Sequence, residues 1–428
     1  MTVNIRWSSV AVMLVVLSAA MGYAQDWPEL SPESWANMTV EELEQWLDSG
    51  VPVRARTEHG ETALMFALEH GSSIELIERL LESGVDVNAR SIDGLTALFL
   101  TLFLNTGPDL PDLLITHGAD VRARGPDGYT TLMAAVEFSI DPTVIQMLIA
   151  AGVPVNTRDE IGNTALMYAA RSDPNGEIVR SLIDAGADTH ARNLSGLTPL
   201  VFALAHNPNQ EITIALLEAG SDPNEPGPED SIPLHIAARL NSNAEVARAL
   251  LEAGADVSAR SPEGETALHV AAAFNHNSEV VNALLEFGAL HSARDSQGRT
   301  PLMAAAIFNP SAAVTRRLIN AGADLSARTP DGLTAMMLAA SLNENIDVLR
   351  ALIDAGANIH ARSGDGLTAL MYAALVSQNP ENIMLLLESG ARHRDRTRDG
   401  STAWDLIQIN EALQETPAYW RLHDLRFD

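Results

Sequence analysis

Apolar residues recur along the sequence in short groups separated by glycine and polar turns. One kind of group has small residues behind a leucine, as in Leu166, Ala169 and Ala170, and the next carries valine and leucine at helical spacing, as in residues 280–285. This spacing predicts two short amphipathic helices in succession. About eleven residues rich in turn-forming types follow each pair, as in 255–265, and predict an extended turn or short hairpin.

The pattern returns every 34 residues and is marked by glycine. A first glycine series opens each unit, with Asp230 at its single missing position: Gly60, Gly94, Gly128, Gly162, Gly196, Gly264, Gly298, Gly332, Gly366 and Gly400. A second series closes each second helix and runs without a gap from Gly50 to Gly390. Glycine is only 28 of the 428 residues, so chance does not produce these series. The pattern predicts a linear array of repeats and not two or three independent domains.

Each predicted helix has residues suited to its ends. A threonine stands two residues after the first glycine, as at Thr266, where its hydroxyl suits a helix N-cap. The second helix opens at a column of Asn, Ser, Asp or Gly, as at Asn277, and ends at the second glycine, which suits the left-handed conformation. Both helices are shorter than the roughly 12 to 15 residues that an isolated helix needs in water. We therefore expect them to form only by stacking on neighbouring units.

These features together resemble the ankyrin repeat over nearly the whole sequence. The motif "TALH" at 266–269 and "IPLH" at 232–235 are similar to the family's tetrapeptide. The resemblance implies an all-α solenoid of stacked helix-turn-helix units. Tetratricopeptide repeats share the 34-residue period, but their helices follow one another almost without a gap, so the eleven-residue segment favours the ankyrin fold.

The sequence departs from the family pattern in two respects. Most units replace the histidine of the tetrapeptide with methionine, which puts the family's threonine–histidine hydrogen bond in question: Met133, Met167, Met303, Met337 and Met371. The period is also one residue longer than usual. The extra residue falls between the alanine pair and the second cap, in stretches such as 274–278, where asparagine supports a tight turn.

The repeat register sets the expected boundaries. We expect a signal peptide at 1–24, a capping half-repeat at 25–59, ten repeats at 60–399 and a C-terminal capping repeat at 400–428. Trp404, Tyr419 and Trp420 are expected to close the core at the C-terminal end. The unit at 221–233 loses its glycine, threonine and arginine, which is consistent either with a drifted turn without a role or with a local bend or specific contact.

The first residues are typical of an export signal. Arg6 precedes an apolar run at 10–21, and small residues at 22–24 suit cleavage after Ala24. The run is shorter than the roughly 20 residues of a membrane span, so we expect no anchor after cleavage, although an anchored form stays an alternative. The absence of cysteine excludes disulfides and a lipoprotein anchor. The expected location is the periplasm or the extracellular medium.

Charge and motifs narrow the classes of function. The net charge of −29 opposes binding to nucleic acid or to anionic membranes, and favours a neutral or cationic protein partner. The sequence contains no GxSxG, HExxH, phosphate-loop or calcium-loop motif, so we expect no enzyme activity, cofactor or metal. The predicted function is a monomeric, non-enzymatic scaffold that holds another protein. The alternatives are a secreted effector, an inhibitory or regulatory subunit of an enzyme, and a passive spacer.

One charged column has two interpretations. An arginine stands four residues before each turn glycine, as at Arg260, Arg294 and Arg328. A structural role is the first interpretation, because ankyrin repeats often carry a basic residue there. A ladder that grips an acidic peptide or a polyanion is the second.

The resemblance also indicates candidate binding residues on the concave face. The position after each turn glycine is expected to expose large side chains: Leu95, Tyr129, Leu197, Arg299, Leu333 and Leu367. The second position after the alanine pair adds Phe138, Phe274 and Phe308, together with Leu104, Leu240 and Leu342. For this second column, filling of the space under the longer turn is expected ahead of contact with a ligand.

Overall fold

The computed structural model describes residues 32–50, 53–57, 59–139 and 141–427. The expected signal peptide lies outside these residues. The chain divides into two compact units: the first ends at Ala169 and includes 184–187, and the second consists of 170–183 and the residues from 188 onward. The described residues are helical and contain no strand, only one isolated bridge between Arg124 and Thr130. None of their helices is long and apolar enough to cross a membrane.

The first unit contains four helix pairs. In chain order, these are α1 (Pro32–Asn37), α2 (Val40–Asp48), α3 (Ala63–Glu69), α4 (Ile74–Glu82), α5 (Ala97–Phe103), α6 (Asp109–Thr116), α7 (Thr131–Ala134) and α8 (Pro142–Ala150). Helix α7 continues as one π-helical turn at Ala135–Ser139. The next pair, α9 (Ala165–Ser172) and α10 (Glu177–Asp184), contains the residues at which the two units divide.

The second unit contains seven more pairs. They are α11 (Pro199–His206), α12 (Gln210–Glu218), α13 (Pro233–Leu240), α14 (Ala244–Glu252), α15 (Ala267–Phe274), α16 (Ser278–Glu286), α17 (Pro301–Phe308), α18 (Ala312–Asn320), α19 (Ala335–Leu342), α20 (Ile346–Asp354), α21 (Ala369–Val376), α22 (Pro380–Glu388), α23 (Ala403–Ile407) and α24 (Pro417–Leu425). Odd-numbered helices are the first of each pair, and even-numbered helices are the second.

Within each unit the helices form two layers. First helices pack on first helices, as α15 does on α17, and second helices pack on second helices, as α14 does on α16. Residues 267–273 of α15 are all buried, and four of the seven are alanines, whose small side chains let neighbouring backbones approach closely. The layering confirms the predicted solenoid of stacked helix pairs within each unit.

Most of the threonine caps form as predicted, but the buried hydroxyl of Thr164 has no hydrogen-bond partner among the described residues and the Thr266 hydroxyl contacts the His269 ring. The structure also shows how methionine replaces histidine. The Thr300 hydroxyl accepts the N–H of Met303 at 3.4 Å, and the Thr300 N–H donates to the Met303 sulfur at 3.5 Å. In the unit with histidine, His269 Nδ1 takes that place, while its Nε2 lies 3.1 Å from the carbonyl oxygen of Arg299 in the next unit. Methionine therefore replaces the contact of histidine with the capping threonine of its own repeat. It does not replace the hydrogen bond of histidine to the carbonyl oxygen of the next repeat.

The extra residue of the period supports a buried asparagine ladder in the second unit. Asn207, Asn241, Asn275, Asn309 and Asn343 are at most 5% exposed. Each side-chain N–H₂ donates to the main-chain oxygen 34 residues earlier, at 2.8–2.9 Å. Each side-chain oxygen accepts the backbone N–H two residues later. The asparagines thus tighten their own turn, as expected, and also join consecutive 34-residue repeats within the second unit.

The irregular unit at 221–233 makes a contact within the chain. The guanidinium of Arg192 donates to the Glu225 carboxylate at 2.6 Å and to the carbonyl oxygen of Pro226 at 2.9 Å. Asp230 takes the glycine position with φ 56°, and Ile232 provides no side-chain cap for α13. The altered turn therefore keeps its link to the preceding unit. A role in function stays a hypothesis.

The sequence predicts that three aromatic residues close the C-terminal end of the core, but not all of them are buried there. Trp404 and Tyr419 are half-buried, and Trp420 is 51% exposed. Smaller apolar side chains fill the interior there, at most 2% exposed: Ile407, Leu413, Ala418 and Leu422. The expectation is wrong for Trp420 because leucine, isoleucine and alanine already satisfy the last helix pair.

Replacement of a ladder asparagine should destabilise the second unit strongly. Asn309→Ala removes the donor to Ala272 and Asn275 and the acceptor for Ser311, and leaves these backbone groups buried without partners. We expect a loss of about 2–4 kcal/mol in unfolding free energy, measured by urea denaturation followed by circular dichroism. The matched control is Asn320→Ala at an exposed position, with an expected change within about 0.5 kcal/mol. Equal small effects of both changes would contradict the ladder's role.

Candidate protein-binding surface

The column after the turn glycine is more buried than the sequence indicated. Leu95 is 9% exposed, so its expected exposure is wrong. The other members are only half-buried: Tyr129, Leu197, Arg299, Leu333 and Leu367. In the first unit, Tyr129 packs edge to face on Tyr168, with ring centroids 5.3 Å apart. These side chains are partly covered by their neighbours and do not project freely into solvent.

The column at the end of the first helix forms an exposed apolar stripe in the second unit. Phe274 is 38% exposed and Phe308 is 49% exposed, and their neighbours on the column, Leu240, Leu342 and Val376, are 44–56% exposed. We call these five residues the apolar stripe. In the second unit, the expected filling under the turn is therefore wrong. In the first unit, Phe138 agrees better with the expected filling. It is half-buried and packs on Phe103, with the two ring centroids 4.6 Å apart.

The ladder explains why the stripe faces solvent. Four of the five stripe residues immediately precede a ladder asparagine, as Phe274 precedes Asn275 and Phe308 precedes Asn309, and Val376 precedes Ser377 at the same repeat position. The asparagine side chain turns inward to bond the preceding unit, and the residue before it remains exposed. The extra residue of the repeat therefore produces both features at once.

Two arginines hold the phenylalanines of the stripe in place. The Phe274 and Phe308 rings are stacked, with centroids 5.9 Å apart and planes inclined by 27°. The guanidinium carbon of Arg239 lies 4.6 Å from the Phe274 centroid, and that of Arg299 lies 5.8 Å from the Phe308 centroid. Both distances suit cation–π contact. The centre of the stripe is thus an aromatic surface with a guanidinium group over each of its two rings.

A cavity of about 720 Å³ opens beside the stripe. Its lining has apolar residues, Ile307, Phe308, Pro330, Leu333, Leu338 and Leu342, and polar residues, Gln297, Arg299, Thr329 and Asp331. The cavity therefore brings together four residues predicted from sequence: Arg299, Phe308, Leu333 and Leu342. Concave apolar surface with a few polar groups is typical of a binding site.

Arg299 is fixed by two carboxylates. Its Nε donates to Asp295 at 2.6 Å, and its guanidinium lies 3.8 Å from Glu265. Burial would raise the pKa of Asp295, but the hydrogen bonds and charge of Arg299 outweigh burial and lower it. Burial raises the pKa of Glu265, against the influence of Arg299. Arg299 compensates part of the negative charge of the two carboxylates, and these contacts position its side chain beside Phe308.

The arginine column has a structural role. Arg260, Arg294 and Arg328 each donate through Nη1 to the carbonyl oxygen of the turn glycine four residues later, at 2.6–2.9 Å. Each also donates to the carbonyl oxygen of the arginine in the next unit. These hydrogen bonds support the first interpretation of the column, because the guanidinium groups link turn backbones of successive units.

The titratable groups of the described chain do not form a metal centre. No three His, Asp or Glu side chains converge there to hold a metal ion. His235 and His269 are buried in first helices, and burial lowers the pKa of both. Their Nε2 atoms bond carbonyl oxygens of the next unit, which is a structural use of histidine.

Sequence reasoning did not identify Arg239 or Val376 as surface residues. Val376 lies 34 residues after Leu342, so the column spacing was a sufficient signal. No comparable signal marks Arg239, because arginine is not repeated at its position in neighbouring units. Its place over Phe274 depends on the packing of α13 against α15.

Comparisons with known proteins agree with the repeat pattern. The profile "Ankyrin repeats (3 copies)" matches residues 104–193, 132–227, 173–261, 234–329 and 306–397, and the profile "Ankyrin repeat" matches residues 59–92. Among solved structures, the chain is similar to the human ASB11 ankyrin repeat domain, with 26% identity and a TM-score of 0.47. That alignment covers 53% of this chain and 98% of the other. None of the curated proteins matches the sequence. The profile matches together cover more than half of the chain.

The Asp295–Arg299 pair should contribute a pH-dependent part of stability. We expect Asp295→Asn to lower the unfolding free energy at pH 7 by about 1–3 kcal/mol. The pKa of Asp295 is lowered in the folded state, so the pair stabilises the fold above the unfolded pKa of about 3.9. This contribution is lost as pH falls through the lower folded value, and the difference between the two proteins should shrink in acid.

Urea denaturation at a series of pH values measures this effect. Asp331→Asn, at an exposed carboxylate of the next unit, is the control and should change stability by no more than about 0.5 kcal/mol. A difference between wild type and Asp295→Asn that stays constant from neutral pH down to pH values well below the unfolded pKa would refute the assignment.

Proposed function

Because the chain belongs to the ankyrin repeat family, we propose that it is a non-enzymatic scaffold that binds another protein through the apolar stripe and the adjoining cavity. Ankyrin repeats are generally protein-interaction scaffolds. The observation that carries the proposal is the exposure of five large apolar side chains at one repeat position, beside a cavity of about 720 Å³. Contiguous exposed apolar surface of this kind marks interaction sites on soluble proteins.

The composition of the surface favours a protein ligand. Phenylalanine and arginine are both enriched at protein interfaces, and here arginine lies over the ring of each stripe phenylalanine. The cavity has room for one or two large side chains of a partner. Gln297 and Asp331 in its lining offer hydrogen bonds. The chain's charge of −29 favours a neutral or cationic partner and opposes nucleic acid.

The alternatives fit the surface less well. A passive spacer has no preferred face, whereas the apolar stripe lies on one repeat position only. An enzyme acting at this surface would need titratable groups free to act, but the carboxylate of Asp295 is held by Arg299. A secreted effector or an inhibitory subunit of an enzyme would use the same surface, so these two differ from the proposal only in the partner.

The proposed setting is outside the cytoplasm. The charged start, the apolar run at 10–21 and the small residues before Gln25 support export with cleavage after Ala24, to the periplasm or the medium. The protein would act there as a monomer without a membrane anchor.

Affinity purification from the native envelope and culture medium tests the proposal. We expect the wild-type chain to capture a specific protein, and Phe274→Ser, Phe308→Ser and Leu342→Ser together to abolish capture. The control carries Leu194→Ser and Leu290→Ser, which change residues that are 81% and 67% exposed away from the stripe. Circular dichroism confirms that both variants stay folded. Unchanged capture by the stripe variant would refute the binding surface.

A further inference from the structure

A second exposed surface lies on the last helix pair, away from the apolar stripe. Trp404 on α23, Tyr419, Trp420 and His423 on α24, and Phe427 just beyond it form a group of touching rings. We call these five residues the terminal aromatic cluster. Trp420 is 51% exposed and Phe427 is 73% exposed. Smaller side chains already fill the core beneath, so core packing does not explain the exposed rings of Trp420 and Phe427.

The rings are held in a defined arrangement. Trp404 and Tyr419 meet edge to face with centroids 4.9 Å apart, and Tyr419 and Trp420 meet at 5.2 Å. His423 contacts both tryptophans, at 5.2 and 5.7 Å. Edge-to-face contacts at these distances are favourable. The cluster is therefore organised before any partner binds, which reduces the entropy cost of binding.

The cluster already binds one cation within the chain. The guanidinium carbon of Arg426 lies 4.4 Å from the Phe427 centroid and 5.1 Å from the Trp404 centroid. In the described part of the chain, no cation is stacked on the Trp420 indole, although tryptophan is the strongest aromatic acceptor. The charge of −29 attracts cationic molecules to the protein as a whole.

We propose that the terminal aromatic cluster binds arginine side chains of a basic segment of another protein, with Trp420 as the anchor. The guanidinium of Arg426 shows the geometry that such a side chain adopts on these rings. Because Arg426 occupies the Trp404 and Phe427 faces, it competes with the partner for part of the surface. This site is separate from the apolar stripe and does not depend on the function proposed above.

Calorimetric titration with a short peptide of alternating arginine and serine tests the proposal. At about 0.15 M salt, screening limits non-specific attraction to the acidic chain. We expect Trp420→Leu to weaken binding about two- to fivefold, because the change removes the aromatic face and keeps an apolar side chain. The control is Phe287→Leu, an exposed aromatic residue at the end of α16, which should leave the affinity unchanged.

A second pair of variants isolates the competition. Arg426→Gln frees two aromatic faces and should strengthen peptide binding. Arg421→Gln removes the same charge from α24, but no ring lies under Arg421 in the described chain, so its effect reports charge alone. A larger gain in affinity for Arg426→Gln than for Arg421→Gln supports the proposal.

Three results would overturn it. Equal affinities of wild type and Trp420→Leu would show that the rings do not bind the peptide. Equal gains for the two arginine variants would show attraction by charge only. Association of the chain with itself that is lost in Trp420→Leu, detected by light scattering without peptide, would assign the cluster to a second copy of this protein instead.

Discussion

The structure depends on the fact that no helix in the described part of the chain is long enough to be stable alone. The helices have four to nine residues, and an isolated helix of that length is unstable in water. Stability therefore comes from stacking, which buries leucine and alanine between two layers of helices in each unit. Small residues on the first helices contribute to this stacking, because they allow the helices of neighbouring repeats to approach closely.

Close stacking also buries backbone polar groups, and the repeat provides partners for them. In the second unit the additional residue of the 34-residue period places asparagine where it bonds both its own turn and the preceding unit. The residue before it then faces solvent, and in four consecutive repeats that residue is large and apolar, as is Val376 at the same position of the next repeat. A requirement of the interior thus generates the surface that we propose for binding. The arginine column has the same relation to the turns, since it links backbone carbonyl groups of neighbouring units.

The sequence predicted the helices well and the surface less well. The helix pairs, their caps and their period follow from local signals: glycine at positive φ, threonine at N-caps and apolar spacing. Exposure could not be read in this way, because it depends on contacts between units. Leu95 and Phe274 are both large apolar residues at regular positions, yet one is buried and the other is exposed. Likewise, the position of Trp420 depended on whether Leu413, Ala418 and Leu422 fill the last core, which no local pattern indicates.

Removal of whole repeats tests the central claim most directly. Deleting 264–297, or 264–331, joins equivalent positions of the pattern and keeps the remaining units in register. Stability should arise mainly at the interfaces between repeats, so we predict that both shortened proteins fold. Their unfolding free energies in urea should decrease stepwise with each repeat removed. Stability that is independent of the number of units would contradict the account, because each helix pair would then be stable without its neighbours.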